Sequence, residues 1–274
     1  LVDKAKVNLG IRIISAGETD NIEVSSLSEV SLQDVKGIQI EPHKQKPKIP
    51  VDAKLLEEAL AELNSLIGIS QVKKDIYDLV QIVQYLQRAG KEVLNQFFFF
   101  FVFLGNPGTG KSTVARILAK IFKALGILER GHMVETDRQG LVAGYIGQSA
   151  IKTAEKVEEA IGGVLFIDEA YSLTQNASAQ GDYGGEVIQT LLKRMEDQRG
   201  LFFVFVAGYT EPMELFLKSN PGLNSRFDRI LKFEDYNPQE LMDISIKMFA
   251  DQNFTLHHLA QGQLLNYLEY IYAT

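Results

Sequence analysis

Eight consecutive residues, Gly105-Asn106-Pro107-Gly108-Thr109-Gly110-Lys111-Ser112, combine small, polar and cationic groups at a spacing that can hold phosphate. They satisfy the pattern G-x-x-x-x-G-K-[ST], in which each part has a physical task. The glycines let successive backbone N–H groups converge on phosphate oxygens. A helix starting near Lys111 turns its positive end toward the same anion, and Lys111 neutralises the outer phosphates. Ser112 can place its hydroxyl on Mg2+, and Thr113 completes the segment assigned to nucleotide binding. Such a cradle needs acids nearby, and Val164-Leu165-Phe166-Ile167-Asp168-Glu169 is an apolar run ending in two carboxylates. Asp168 is suited to hold hydrated Mg2+, and Glu169 to orient and polarise an attacking water. Alone, the acids could mark nothing more than a strand running out into solvent. Beside a phosphate loop they have a task.

Both groups must stand at the C-terminal ends of strands, where ligands bind in open α/β sheets. Phe97–Leu104 is too short and too uniformly apolar for an amphipathic helix and suits a central parallel strand. Its five phenylalanines, Phe97–Phe101, have no functional explanation at this level. Further strands are expected at Met133–Glu135, Val164–Ile167, Phe202–Ala207 and Ile230–Phe233. Helical patterns separate them at Ser112–Ala124, Ala150–Ala160, Glu186–Glu196 and Glu211–Leu217. This alternation predicts an α/β fold, a parallel five-stranded sheet with helices on both faces.

Two helices are expected before the sheet. Leu55, Leu56, Ala59, Leu60 and Leu63 share one face behind Asp52, a possible N-cap; a second helix starts near Ser70 and stops at Gly90. Residues 51–236 are read as one nucleotide-binding domain. Residues 237–274 follow as a separate small helical domain, with Pro238–Thr274 helical throughout. Residues 1–50 differ: Val7–Ile14 and Val35–Ile40 are β-branched, four serines interrupt them, and Pro42, Pro47 and Pro50 bracket a lysine-rich linker. A β-rich docking element and the remnant of a neighbouring domain are equally compatible with that stretch.

Composition narrows the functional classes. Of 274 residues, 46% are apolar and 23% charged, too apolar for a disordered chain. The net charge of −7 gives no global basic field, so nucleic acid is not an expected partner. The absence of cysteine removes disulfides, thiolate metal sites and thiol nucleophiles, and fits a reducing compartment. No apolar run approaches the roughly 20 residues of a membrane-spanning helix. A cytoplasmic location is expected, and Leu1 in place of methionine suggests a cut or processed start. His43, His132, His257 and His258 lack the i, i+4 spacing of a metal pair and read as solvated side chains.

With both motifs in place, the chain resembles the AAA+ ATPases from about Leu60 to Thr255. The branch it resembles contains CbbX, the red-type Rubisco activase, and stage V sporulation protein K. Gly105–Arg116, Gly140–Gly147, Gly162–Tyr171, Asp182–Glu186, Ala207–Tyr209 and Ser219–Arg229 carry the likeness in collinear order. The resemblance implies a P-loop NTPase fold, with ATP and Mg2+ bound between subunits of a homo-oligomeric ring, a hexamer. Within Ser225–Arg229 it assigns Arg226, and secondarily Arg229, as arginine fingers reaching the neighbour's γ-phosphate, a role suited to a planar, always-charged guanidinium. Tyr209 falls at the sensor-1 position, where its hydroxyl could meet phosphate or water; packing under the sheet is an equally open role. Ile67 and Gly68 match the wall of the adenine pocket. Tyr145-Ile146-Gly147 matches the first pore loop, whose aromatic ring would grip an extended polypeptide. Gly181–Gly185 suggests a second loop. Asn237-Pro238 marks the hinge into a lid that ends at Thr274, before the sensor-2 arginine such proteins carry. The implied function is an ATPase remodelling a protein partner through a central pore. The alternatives are a nucleotide-gated scaffold or an EccA-like secretion chaperone that threads nothing.

Overall fold

The computed structural model describes residues 49–91, 93–96, 100–145, 147–174, 183–227 and 229–273. The readings of residues 1–48, Phe97–Phe99, Ile146, Gly181-Asp182 and Asp228 lie outside the described residues. In chain order the helices are α1 (Ala53–Ser65), α2 (Ser70–Arg88), α3 (Val93–Gln96), α4 (Lys111–Ala124), α5 (Arg138–Leu141) and α6 (Gln148–Ala160). They continue as α7 (Gly184–Asp197), α8 (Thr210–Lys218), α9 (Pro221–Arg226), α10 (Pro238–Asp251) and α11 (His258–Ala273). The strands are β1 (Phe100–Leu104), β2 (Met133–Thr136), β3 (Val164–Ile167), β4 (Phe203–Gly208) and β5 (Arg229–Lys232). A 3-10 turn covers Ala170–Leu173.

The five strands form one sheet in the order β2-β3-β4-β1-β5, every pairing parallel. The fold is thus the expected α/β sheet. The central strands β1, β3 and β4 are buried at every position, which their uninterrupted apolar sequences require; β2 and β5 lie at the edges and are partly exposed. Strand β4 begins and ends one residue later than the sequence suggests, and β5 one residue earlier. Phe233 still donates its N–H to the Leu104 carbonyl at 2.7 Å, prolonging the ladder past β5.

Period-two alternation gives the phenylalanines of β1 separate tasks. Phe101 and Phe103 point to the face covered by α1, α2 and α4, while Phe100 packs with the core on the opposite face. Phe103 contacts the rings of Phe166, Phe205 and Phe233 at centroid separations of 6.0, 5.3 and 5.8 Å. Phe101 meets Phe122 and Phe205. Phe100 tilts against Phe227 at 5.9 Å, directly after α9. Bulky side chains in this strand therefore build both cores and fix the height at which its C-terminal loop leaves the sheet.

Helix boundaries follow local chemistry. Asp52 caps α1 by accepting from the Leu55 N–H at 3.0 Å. Asn237 and Glu240 form a reciprocal capping box at the start of α10, with Pro238 at its first position. The segment after Pro238 is not one helix: residues 252–257 separate α10 from α11, and Asn253 takes a left-handed conformation at φ 62°. No described helix is long and apolar enough to cross a membrane.

Candidate active site

The phosphate-type loop emerges from β1, and the two acids emerge from β3. Strand β4 lies between them, so the ends of three adjacent parallel strands bring the motifs together. The junction is close: the Gly105 N–H donates to the Gly208 carbonyl at 3.2 Å. On the other side, a Cβ on Gly105 would come within 2.5 Å of the Phe233 carbonyl oxygen. Only glycine fits this approach.

Gly108 and Gly110 take φ of 78° and 90°, the left-handed region that glycine enters without steric cost. Gly110 is also the N-cap of α4 and supplies no side-chain acceptor to that helix start, as suits a site for an external anion. Thr109 is buried and holds the loop internally, its hydroxyl donating to the Asn106 carbonyl at 2.8 Å. The Lys111 ammonium donates to the Gly105 and Asn106 carbonyls at 2.9 and 2.6 Å. Burial lowers its pKa below the ordinary lysine value, while the negative charges of Asp168, Asp235 and Glu169 pull the other way. Pro107 and Thr113 are exposed at the rim, and Ser112 is half-buried on the first turn of α4.

Asp168 is half-buried and Glu169 exposed. The Asp168 N–H donates to the Thr136 carbonyl at 2.9 Å, which fixes the strand end. Its carboxylate accepts from the Glu169 N–H at 3.0 Å. Glu169 adopts φ 47°, costly for a residue with a Cβ and a form of local strain that concentrates at working sites. Burial first, then the Glu169 charge, raises the pKa of the Tyr171 phenol. Tyr171 also packs on Gly208 and lies 6.0 Å, ring to ring, from Tyr209. Tyr209 follows β4 directly and is 37% exposed, between the phosphate-type loop and the acid pair.

The segment after β5 closes the site from a direction that local sequence patterns do not mark. Asn106 donates its side-chain amide to both carboxylate oxygens of Asp235, at 3.0 and 2.8 Å. The Tyr236 hydroxyl donates to the Thr109 carbonyl at 3.2 Å. The Tyr236 ring lies against Gly68, where an added Cβ would sit 3.1 Å from it at a backbone φ of 65°. Gly68 is thereby brought to the phosphate-type loop, with half-buried Ile67 beside it. Lys247 of α10 donates to the Ser65 carbonyl at 2.9 Å, and Lys73 of α2 to Leu66 at 2.5 Å, so two ammonium groups converge on the end of α1. Asp235, Tyr236 and Tyr171 escaped sequence reasoning. The one available signal was that residues 233–237 follow a strand's C-terminal end.

The remaining candidates lie elsewhere. Tyr145 is 72% exposed on the segment between α5 and α6, and Gly147 caps α6 at φ 81°. That segment is anchored at its roots: Lys152 donates to the Gln139 and Val142 carbonyls at 2.5 and 3.2 Å, and buried Ser149 accepts from the Ala143 N–H at 3.0 Å. Arg229 begins β5 and pairs in register with Phe101, three residues before the end of β1. Arg226 ends α9 just before it. Both arginines stand toward the opposite end of the sheet from their own phosphate-type loop. The Arg226 guanidinium meets the Glu196 carboxylate at 2.8 Å.

Comparison with known proteins bears on the family. The family description "ATPase family associated with various cellular activities (AAA)" matches residues 101–235. Stage V sporulation protein K of Bacillus subtilis is 40% identical over 223 residues, 80% of this chain and 68% of that protein. A CfxQ homolog of Pyropia yezoensis is 41% identical over 221 residues, 80% of this chain and 73% of that protein. The ESX-1 secretion system protein EccA1 of Mycobacterium tuberculosis is 43% identical over 195 residues, 70% of this chain but 34% of that protein.

Proposed function

Because the chain belongs to the AAA family of ATPases, in its CbbX- and stage V sporulation protein K-like branch, we propose that it hydrolyses Mg2+-bound ATP at the interfaces of a homo-oligomeric ring, a hexamer, and uses the cycle to remodel a protein partner. One observation carries the hydrolytic part: Lys111, held on the Gly105 and Asn106 carbonyls after β1, and the pair Asp168-Glu169 after β3 stand at the same end of the parallel sheet with only β4 between their strands. A cation for phosphate, an acid for metal and a base for water thus share one end of the sheet.

The residues fit the group they would receive. Gly108 and Gly110 shape a concave backbone, the start of α4 is uncapped by side chains, and Lys111 is already directed onto the loop. Ser112 and Asp168 offer hard oxygen donors, and Mg2+ bound through few protein ligands keeps several waters. Bound Mg2+ would neutralise charge developing on the phosphate oxygens. Within the chain, Lys111 and the loop N–H groups hold the β- and γ-phosphates. Glu169 accepts the proton of the attacking water. Tyr209 approaches the same space from the end of β4.

Arg226, with Arg229 beside it, is assigned to the neighbouring subunit's site. The support is positional, since both arginines lie away from their own loop. Tyr145, with Ile146 and Gly147, is assigned to the pore, where an exposed aromatic ring on an anchored loop can bear on an extended chain. The partner protein is not specified by any of these contacts. The identity to EccA1 covers about a third of that protein and supports the shared ATPase segment, not its role in secretion. Turnover is the test: Glu169→Gln retains ATP binding and loses hydrolysis, whereas Lys111→Ala loses binding itself. Undiminished turnover in Glu169→Gln removes the proposed base.

A further inference from the structure

Three residues of the short segment following β5 track the phosphate-type loop almost residue for residue. The Phe233 carbonyl faces Gly105, the Asp235 carboxylate takes the Asn106 amide, and the Tyr236 hydroxyl takes the Thr109 carbonyl. The segment has little slack. It starts on the β1–β5 ladder, where Phe233 donates to Leu104, and ends in the capping box of α10 at Asn237. The Tyr236 ring is held from behind by Gly68, and its hydroxyl lies 3.4 Å from where a Cβ on Gly110 would be.

We infer that Tyr236 is a positioning residue for the phosphate loop: by holding the Thr109 carbonyl it sets the Thr109–Gly110 peptide so that the Gly110 N–H faces the phosphates. The argument is geometric. A trans peptide directs its C=O and its N–H to opposite sides, and no cis peptide occurs among the described residues. A carbonyl fixed on Tyr236 therefore aims the next N–H away from Tyr236. With glycine on the N–H side of that bond, little else restrains the rotation of the peptide plane. The Asn106–Asp235 contact holds a second point of the loop in the same manner. Burial, then the charge of Glu240, raises the Tyr236 pKa, so the phenol stays protonated and remains a donor well above neutral pH. The root of α10 thereby tunes phosphate affinity without touching phosphate.

This inference rests on the phosphate loop binding nucleotide, and the test separates the two. Tyr236→Phe keeps the ring on Gly68 and removes only the hydroxyl; Tyr236→Ala removes both. Inorganic pyrophosphate and ADP are titrated calorimetrically into wild-type, Tyr236→Phe, Tyr236→Ala and Lys111→Ala proteins. Steady-state ATP kinetics and thermal melting are measured alongside. Loss of one neutral hydrogen bond predicts pyrophosphate and ADP binding weakened by one common factor, about three- to tenfold, in Tyr236→Phe. KM for ATP rises by that factor, kcat stays at the wild-type value, and Tm falls by no more than roughly 2–4 °C. Wild-type affinity for pyrophosphate in Tyr236→Phe overturns the inference, as does a loss confined to ADP or to Tyr236→Ala, because the ring would then be the active part. Wild-type protein that binds neither probe overturns the nucleotide reading, and this inference with it.

Discussion

Replacing Arg226 by alanine separates a structural arginine from one that serves a neighbouring site. Within its own subunit Arg226 pairs with Glu196 at 2.8 Å, with the arginine side chain 23% and the glutamate side chain 62% exposed. A pair with one partner mostly in solvent contributes at most about 1 kcal/mol. For a folded unit of this size that corresponds to a Tm change of roughly 2–4 °C. A guanidinium that stabilises charge on a transferring phosphoryl group contributes far more, about a thousandfold or greater in rate. Arg226→Ala is therefore expected to melt near the wild-type temperature, bind ATP normally and lose steady-state hydrolysis by about 10³. Glu196→Gln is the matched control: it weakens the same ion pair, leaves the arginine in place and is expected to retain turnover. Mixing makes the test sharper. A ring built from head-to-tail interfaces of Arg226→Ala and Glu169→Gln subunits in equal amounts contains competent sites wherever the first accepts an arginine from the second. Random assembly gives about a quarter of all interfaces, hence about a quarter of wild-type turnover if sites act independently. ATPase rates are read in a coupled phosphate-release assay after subunit exchange. No recovery on mixing, or equal loss in Glu196→Gln, would refute the reasoning.

Further consequences can be measured separately. Tyr145→Ala is expected to keep ATP hydrolysis and lose remodelling of an identified partner; retained remodelling removes the ring from the pore assignment. Alkaline titration probes Lys111, whose pKa in the free protein lies below 10.5. Phosphate favours its charged form, so ADP affinity should hold at neutral pH and fall as pH rises through that lowered value. An affinity that stays level up to pH 10.5 in calorimetry contradicts the assignment. Phe103→Ala removes a fully buried ring that touches three other phenylalanines. It should cost about 3–5 kcal/mol and lower Tm by roughly 10 °C.

The sheet was legible because its strands are apolar runs too short for helices, and because the phosphate and acid motifs sit where strands end. The phosphate-type loop and Asp168-Glu169 needed only local spacing. Other parts had no local signature. Helix α5 spans four residues and the 3-10 turn after Glu169 another four, both below the length at which hydrophobic periodicity registers. Asp235 and Tyr236 meet the loop across 129 and 127 residues of sequence, through contacts that only the β1–β5 pairing creates. The alternation that divides the phenylalanines of β1 between two cores is likewise invisible until both faces of the sheet are covered. The break at residues 252–257 was missed because the tail's composition is helix-compatible throughout, while Asn253 turns the chain left-handed there.

A structure of the Glu169→Gln protein grown with ATP and Mg2+ tests the central claim most directly. The account predicts an intact triphosphate on the backbone of Gly108–Ser112, Lys111 on its outer phosphates, and the metal between Ser112 and Asp168. Nucleotide bound elsewhere, or a metal that avoids Asp168, would contradict it.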